Sequence, residues 1–558
     1  MRMPLTGTGE RSGPPDQAGA SAGLAGSPAE LDARRPAGPL ARGRAALTQH
    51  WLFTIFLTAG LAMRVITQLA YQPAILYIDS VKYLLNAYPG DDPPGYLLVL
   101  KPVLAVGNLA VVAGLQHVAG LAMAVALYLL VLRRGAPRWL AALATLPVLL
   151  DAYQLQIEQN IMPDTLFETL IVVGLAALLW HPRPRAWQVV VAGLALGSSA
   201  PVREMGEIFI LPALLYLLIA VRGWRPRAGL AVLLCATFAF PVMFVSYKDY
   251  LTPLTPHHLH YFSLAPFASE TIYGRMADAA DCATLRLPSY ERPLCPSPAL
   301  QRELGPDGLD HSSTPGEKSP LKPFQNYVLP HGLHRNQVVS NFTRRVAEQQ
   351  PLRVVESVAR AAITLFAVDR QTSPGDTPIS RWEFTRTFRP YKPYVYTQHR
   401  DLILGDFDTH GVPRVLGTGE QFGDAKPIVS RTLGSFLRTY QLDGGFTPGP
   451  LLLVMTLAGL MGSLAVPRRR LTPGRRATAL ACLLFFTTGV CALLASDVFE
   501  FSWRYQLPAL ITLPPAAALA FTLVLRGRAE RAAAAGQAGA GSVEAAGQQV
   551  PPDMLEAD

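Results

Sequence analysis

The stretch YIDSVKYLLNAYPGDDPPGYLLVLKP, Tyr77 to Pro102, decides how the chain is read. It joins the first two strongly apolar runs and carries Asp79, Asp91 and Asp92 where a membrane surface would lie. An ionised carboxylate in that setting is costly unless something uses it. Asp91 and Asp92 precede Pro93 and Pro94 and read as the cap and turn before a helix that begins near Tyr96. Asp79 is either a loop-start residue or a group held for chemistry. The choice turns on whether other polar groups converge on it.

Working outward, charged residues are 16% of the 558, against ~25% in soluble domains, and mean hydropathy is +0.24. The chain therefore reads as membrane-embedded. Its net charge of +9 comes largely from arginines in short clusters between apolar runs, so it marks topology and not a nucleic-acid-binding face. The scarcity of Lys, with much Ala, Pro and Gly, suggests a GC-rich bacterial source.

Ten apolar runs approach the ~20 residues needed to cross a bilayer: about 51–71, 107–132, 139–154, 163–180, 187–202, 207–221, 229–247, 450–466, 477–495 and 505–525. Lys and Arg in the short flanks divide sharply between alternating sides. Twenty arginines, in groups around 34–44, 133–138, 183–185, 222–227, 468–476 and 526–531, fall on one side. Only Lys82, Lys101, Arg203 and Arg504 fall on the other. This bias places both termini in the cytoplasm of a multi-pass protein of the cell membrane and favours an even number of spans. The expected organisation is a disordered tail at 1–45, a transmembrane core at 46–247, an extracytoplasmic insert at 248–448, further spans at 449–526 and a disordered tail at 527–558.

An insert of about 200 residues is too long for an ordinary connection and reads as a domain or functional cover. Residues 336–370 have apolar positions at helical spacing, predicting one or two helices on the membrane surface. Residues 371–424 are dense in Pro, Gly, Tyr and Phe and read as ordered loop with little helix. RTLGSFLRTYQLDGG predicts a short amphipathic helix with a Gly stop. Cys282 and Cys295 both lie in the insert, where they form a disulfide or remain two thiols, while Cys235, Cys482 and Cys491 read as core residues. No cysteine pattern has zinc or iron–sulfur spacing.

On the outer side, ionisable residues gather at the ends of the runs: Asp79, Glu158, Asp164, Glu168, Arg203, Glu204, Glu207, Asp497, Glu500 and Arg504. Short cytoplasmic loops hold almost no acids. Several have two readings. Asp164 and Glu168 either cap a helix start or face a site. Arg203 either pairs with Glu207 one turn on or binds a ligand. Arg64, deep in the first run, must snorkel, pair with an acid or face a polar groove.

The order of these features resembles the GT-C superfamily of glycosyltransferases, which includes protein O-mannosyltransferases and the lipid A aminoarabinose transferase. The carriers are Arg64 in the first run, then Asp79 with Tyr83, then Pro93-Pro94-Gly95-Tyr96 with an apolar helix and Lys101. YQLQIEQNIMPDTLFETLIVVGLAALL, GLALGSSAPVRE and FSWRYQLPALITLPPAAALAF continue the likeness. It covers the apolar parts but little of 248–448. Where many relatives carry Asp-Glu this chain has Asp79-Ser80, and where they often have His-Pro-Pro it has Asp92-Pro93-Pro94.

The resemblance implies an α-helical polytopic enzyme with juxtamembrane helices in its first outer loop. Such an enzyme transfers a sugar from a polyprenyl-phosphate donor to an extracytoplasmic acceptor, with inversion. A hydroxyl nucleophile needs a base, and Asp79 is the expected one. The leaving phosphate needs fixed cations, expected to be Arg203, Arg504 and Lys101 with Arg64 behind them. Glu158, Asp164 and Tyr83 are candidates for binding the acceptor or a divalent cation. Trp382, Tyr391, Tyr394 and Tyr396 stack on sugars or anchor the insert at the membrane. Two rival readings are a transporter or flippase for a lipid-linked envelope precursor, which predicts polar groups deep in the spans, and an inactive envelope protein of the same fold.

Overall fold

A computed structural model describes residues 48–86, 93–251, 264, 269–310, 318–370, 372, 376–407, 412–423, 426–467, 471–499 and 502–547. Asp91, Asp92 and Glu500 lie outside these residues. Residues 1–51 and 52–558 form separate units; of the first, only 48–51 are described, and everything below concerns the second, with α1 beginning at Trp51.

Most of the chain is helical. In its first half the helices are α1 (Trp51–Ala70), α2 (Ile78–Leu85), α3 (Gly95–Val106), α4 (Leu109–Arg133), α5 (Arg138–Leu143), α6 (Leu146–Leu150), α7 (Ala152–Gln159), α8 (Asp164–Leu179), α9 (Ala186–Ser199), α10 (Ile210–Ala220) and α11 (Trp224–Leu251). Five apolar stretches are long enough to cross a membrane: Trp51–Ala70, Leu109–Arg133, Trp224–Lys248, Pro473–Val498 and Trp503–Ala534. The architecture is that of a helical membrane protein, with α2 and α3 lying in the first loop.

The other expected spans differ from simple rods. The run at 139–154 is three short helices, because Pro147 opens α6 and Asp151 caps α7 by accepting from the Tyr153 amide at 2.9 Å. The second oxygen of Asp151 accepts from the Thr447 amide at 2.7 Å, which holds the break against the return of the insert. Helices α8, α9 and α10 have 16, 14 and 11 residues. At 1.5 Å per residue they reach about 24, 21 and 17 Å, short of a ~30 Å hydrocarbon core. They pack on α4, α11 and one another, burying Phe167, Ile171, Leu196, Phe209 and Leu234 in one apolar core. At Gly197 on α9 a Cβ would sit 2.2 Å from the Phe238 carbonyl oxygen of α11, so glycine sets the closeness of that pair.

The insert has its own small core. Helices α12 (Ser269–Ala279), α13 (Pro298–Glu303), α14 (Pro306–Asp310), α15 (Leu321–Phe324), α16 (Arg335–Gln349) and α17 (Pro351–Thr364) surround Tyr273, Leu294, Phe324 and Phe342. Cys282 and Cys295 are disulfide-bonded, closing a 13-residue separation. The apolar spacing at 336–370 is two helices, parted at Pro351. Residues 395–418, expected to be loop, form an antiparallel sheet of β2 (Val395–Gln398), β3 (Asp401–Phe407) and β4 (Pro413–Thr418), with a register shift at Leu404/Gly405. That bulge and the short strands break the alternation a strand would show in sequence.

A two-residue pair, β1 (Tyr71–Gln72) with β5 (Ile428–Val429), ties the end of α1 to the end of the insert. Then follow α18 (Arg431–Leu442), α19 (Gly449–Ser463), α20 (Pro473–Phe499) and α21 (Leu507–Gly547). The tail expected to lack structure from 527 continues α21 to Gly547, as its Ala-rich composition favours helix.

Where α14 meets the loop after α17, the Asp376 carboxylate accepts from the Asp307 amide at 3.0 Å, while Asp307 accepts from the amide and hydroxyl of Thr377 at 2.6 and 2.7 Å. Burial, and then the Asp307 charge, push Asp376 up to about 7. The folded state thus holds this proton more tightly than the unfolded chain does. The resulting stabilisation is complete below the ordinary value of 3.8 and is lost as pH rises towards 7. Thermal unfolding of the purified protein should therefore occur at a higher temperature at pH 5 than at pH 8, and Asp376→Asn should shrink that difference. An unchanged difference in the variant would assign the pH dependence elsewhere.

Candidate functional site

The first loop is fixed before its chemistry matters. The Ser80 hydroxyl accepts from the Tyr77 amide at 2.9 Å and donates to the Ile161 carbonyl at 3.1 Å. The Ile75 amide reaches the Gln159 carbonyl at 2.9 Å, and the Ile161 amide returns to the Ile75 carbonyl at 3.1 Å. These bonds seat the first turn of α2, with Asp79 in it, on the loop between α7 and α8. Ser80 is fully buried, with its hydroxyl engaged on both sides.

A second carboxylate, Asp164, the first residue of α8, shares Arg504 with Asp79. Arg504, on a 3-10 turn before α21, donates to Asp79 Oδ2 at 3.0 Å and sets its Nε 3.5 Å from Asp164 Oδ1. Arg203, which leads the 3-10 turn Glu204–Phe209, also bonds Asp164 Oδ1. Its pairing is across the fold and not with Glu207 on its own turn. Tyr505 lies between the two cations, its ring 4.4 Å from the Arg203 guanidinium and 4.8 Å from that of Arg504. Its hydroxyl oxygen accepts from Arg504 Nη2 at 3.0 Å. The insert supplies Trp382, whose ring faces Arg504 at 4.9 Å. Trp382 also packs on Tyr77 at 4.8 Å, and the Tyr77 oxygen accepts from Arg381 at 2.8 Å.

Two carboxylates thus meet two guanidiniums, with Arg504 8% and Asp79 24% exposed by side chain. Burial alone would raise Asp79, but Lys82, Arg504 and Arg203 together draw it below its ordinary 3.8, so it is ionised at neutral pH. Asp164 Oδ2 is buried without a hydrogen-bond partner among the described residues. The cluster offers an accessible carboxylate beside fixed cations in a partly dry setting. Such a pairing can take a proton and stabilise a developing phosphate charge.

Other expected site residues lie elsewhere. Arg64 is buried and donates to Glu158 Oε1 at 2.7 Å and to the Val148, Leu149 and Gly60 carbonyls at 2.9, 3.0 and 3.2 Å. It pairs with an acid, and its terminal nitrogens are taken up inside the protein and do not point at the Asp79 cluster. Glu158 also meets His117 Nδ1 at 2.9 Å and accepts from Gln154 at 3.2 Å, and Gln154 donates to Glu168 at 2.8 Å. Tyr83 packs edge-on against Tyr96 at 5.2 Å, in a hydrophobic cluster. Lys101 is exposed on α3, with no contact to the cluster among the described residues. Among those residues no group of three or more His, Cys, Asp or Glu is arranged to hold a metal. The parts that sequence reasoning passed over are Tyr77, Arg381 and Tyr505. Tyr505 had a local signal, since it adjoins Arg504 in the WRYQ turn.

Gly95 joins two walls of the cluster. Its amide donates to the Pro201 carbonyl at 2.7 Å, and a Cβ there would lie 2.3 Å from that oxygen. Gly95→Ala should push α3 off the turn that leads to Arg203, costing about 1–3 kcal/mol in stability. Thermal unfolding measures this, and an unchanged midpoint would show that the turn yields freely.

By fold and composition, then, this is a helical membrane protein with a mixed-charge cluster at one end of its helices. No protein-family model, curated protein or solved structure matches the chain.

Proposed function

We propose that the protein is a membrane glycosyltransferase that moves a sugar from a polyprenyl-phosphate carrier to an extracytoplasmic acceptor. The observation that carries the reading is the meeting of Asp79 with Arg504, 425 residues away in sequence, together with Arg203 and Asp164. Asp79 takes the acceptor hydroxyl proton as its oxygen attacks the anomeric carbon from the face opposite the phosphate. The bond from that carbon to the phosphate oxygen breaks, and its electron pair leaves with the phosphate, whose charge Arg203 and Arg504 stabilise. Configuration inverts.

In this reading all ten apolar runs sit in the cell membrane, the short helices α8 to α10 thinning the bilayer around them. The termini are cytoplasmic and the insert faces out, in accord with its disulfide. Incubating membranes that contain the protein with radiolabelled polyprenyl-phosphate mannose, glucose or arabinose tests it. Transfer of label to an acceptor is expected, and no transfer from any carrier would overturn the reading.

The buried Arg64, His117, Glu158 and Glu168 favour a second reading, a transporter or flippase for a lipid-linked precursor. Its signature would be movement of labelled precursor across reconstituted vesicles without any change in the label's chemical linkage.

A further inference from the structure

A cavity of about 40 Å³ lies between the first loop and the insert, lined by Leu76 and by Tyr391, whose ring packs on Tyr77 at 5.2 Å. Gln156, Arg381, Thr385, Arg389 and Tyr391 are among the residues that line it. That volume is ample for a group the size of phosphate or carboxylate. Two of its walls are guanidiniums. Arg381 spends one nitrogen on Tyr77 at 2.8 Å, and Arg389 one on the Ser380 carbonyl at 2.7 Å, which leaves donors of both fork-shaped groups for a ligand. The one acid on the wall, Glu383, is paired with Arg438 at 3.0 Å.

Gln156 on α7 makes the stronger point. Its side chain is 97% buried, at 3% exposure, and its carboxamide oxygen has no hydrogen-bond partner among the described residues. A buried amide left open costs stability unless something fills the space beside it. With the carboxamide turned over, its N–H₂ donates to an anion's oxygen.

We infer that this cavity is an anion subsite that holds the phosphate or carboxylate of the acceptor, separate from the donor phosphate at Arg203 and Arg504. The role as acceptor subsite rests on the glycosyltransferase reading; the binding itself does not. On that reading, acceptors bearing an anion are selected over neutral ones.

The test is a titration of the full-length protein in detergent with inorganic phosphate, read by calorimetry, beside the variants Gln156→Glu, Arg389→Ala and Arg203→Ala. Gln156→Glu keeps the side chain's size and adds a repelling charge. A saturable component that persists in Arg203→Ala, where the donor cluster is weakened, is expected, and Gln156→Glu and Arg389→Ala weaken that component at least about tenfold. Absence of saturable binding in the wild type overturns the inference. So does equal binding by Gln156→Glu with loss in Arg203→Ala, because the phosphate would then sit at the donor cluster. Repeating the titration in nanodiscs of phosphatidylcholine with or without phosphatidic acid separates the sources: competition by phosphatidic acid assigns the site to a lipid headgroup, and no competition to a water-soluble anion. If phosphate binds as expected while no carrier donates sugar, the anion site stands and the transferase reading falls.

Discussion

Asp79→Asn should lower sugar transfer by about 10²–10⁴-fold, the range a positioned general base supplies, while leaving the protein folded. Asn keeps the size of the carboxylate and can still accept from Arg504, so α2 stays on its loop through Ser80 and Ile161. What disappears is the ability to hold a proton. The pH profile separates this from a structural effect. Because Lys82, Arg504 and Arg203 hold the Asp79 carboxyl below its ordinary 3.8, activity should not decline on this account until pH falls below that value. Full transfer by a folded Asp79→Asn protein would remove Asp79 from the base role and leave the proton to another group.

The second large effect lies in the interior. Arg64→Met should destabilise the protein by about 3–5 kcal/mol, because it leaves the Glu158 charge without its main partner in a buried setting. The double variant Arg64→Met, Glu158→Met should recover much of that loss, since removing both members of a buried pair is far milder than removing one. Denaturation midpoints of the two variants decide the matter. A double variant no better than the single would mean that the three backbone carbonyls held by Arg64, at Gly60, Val148 and Leu149, matter more than the charge pair.

These two clusters mark how far the sequence could be read. Asp79, Asp164, Arg203 and Arg504 were legible because each stands at the end of an apolar run, and the arginine bias led to the expectation that these ends share a side. Depth was not legible. Arg64 lies deep in the first run and Glu158 between two others, and nothing in the sequence pairs them; α7 turns inward after the break at Asp151 and carries Glu158 to Arg64 beside α4. Gly120 makes the room: a Cβ there would lie 2.1 Å from Glu158 Oε1. The break itself had visible signals in Pro147 and Asp151, outweighed by the apolar residues around them. Lys101 shows the limit of counting sides, since it is on the expected face of the chain yet exposed on α3 away from the cluster. The insert was the least readable part, because its strands are short and bulged and Trp382 finds Arg504 only through tertiary packing.

The separation of Asp79 from Arg504 bears on how the protein is made. Synthesis runs from the first helix to the last, so the carboxylate emerges early and waits for nearly the whole chain before its cation arrives on the turn before α21. The pairing of Tyr71–Gln72 with Ile428–Val429 also closes late. A stalled or truncated chain would carry the loop, the insert and most of the helices, yet lack the groups that complete the site. Assembly of the charge cluster is thereby coupled to completion of the polypeptide.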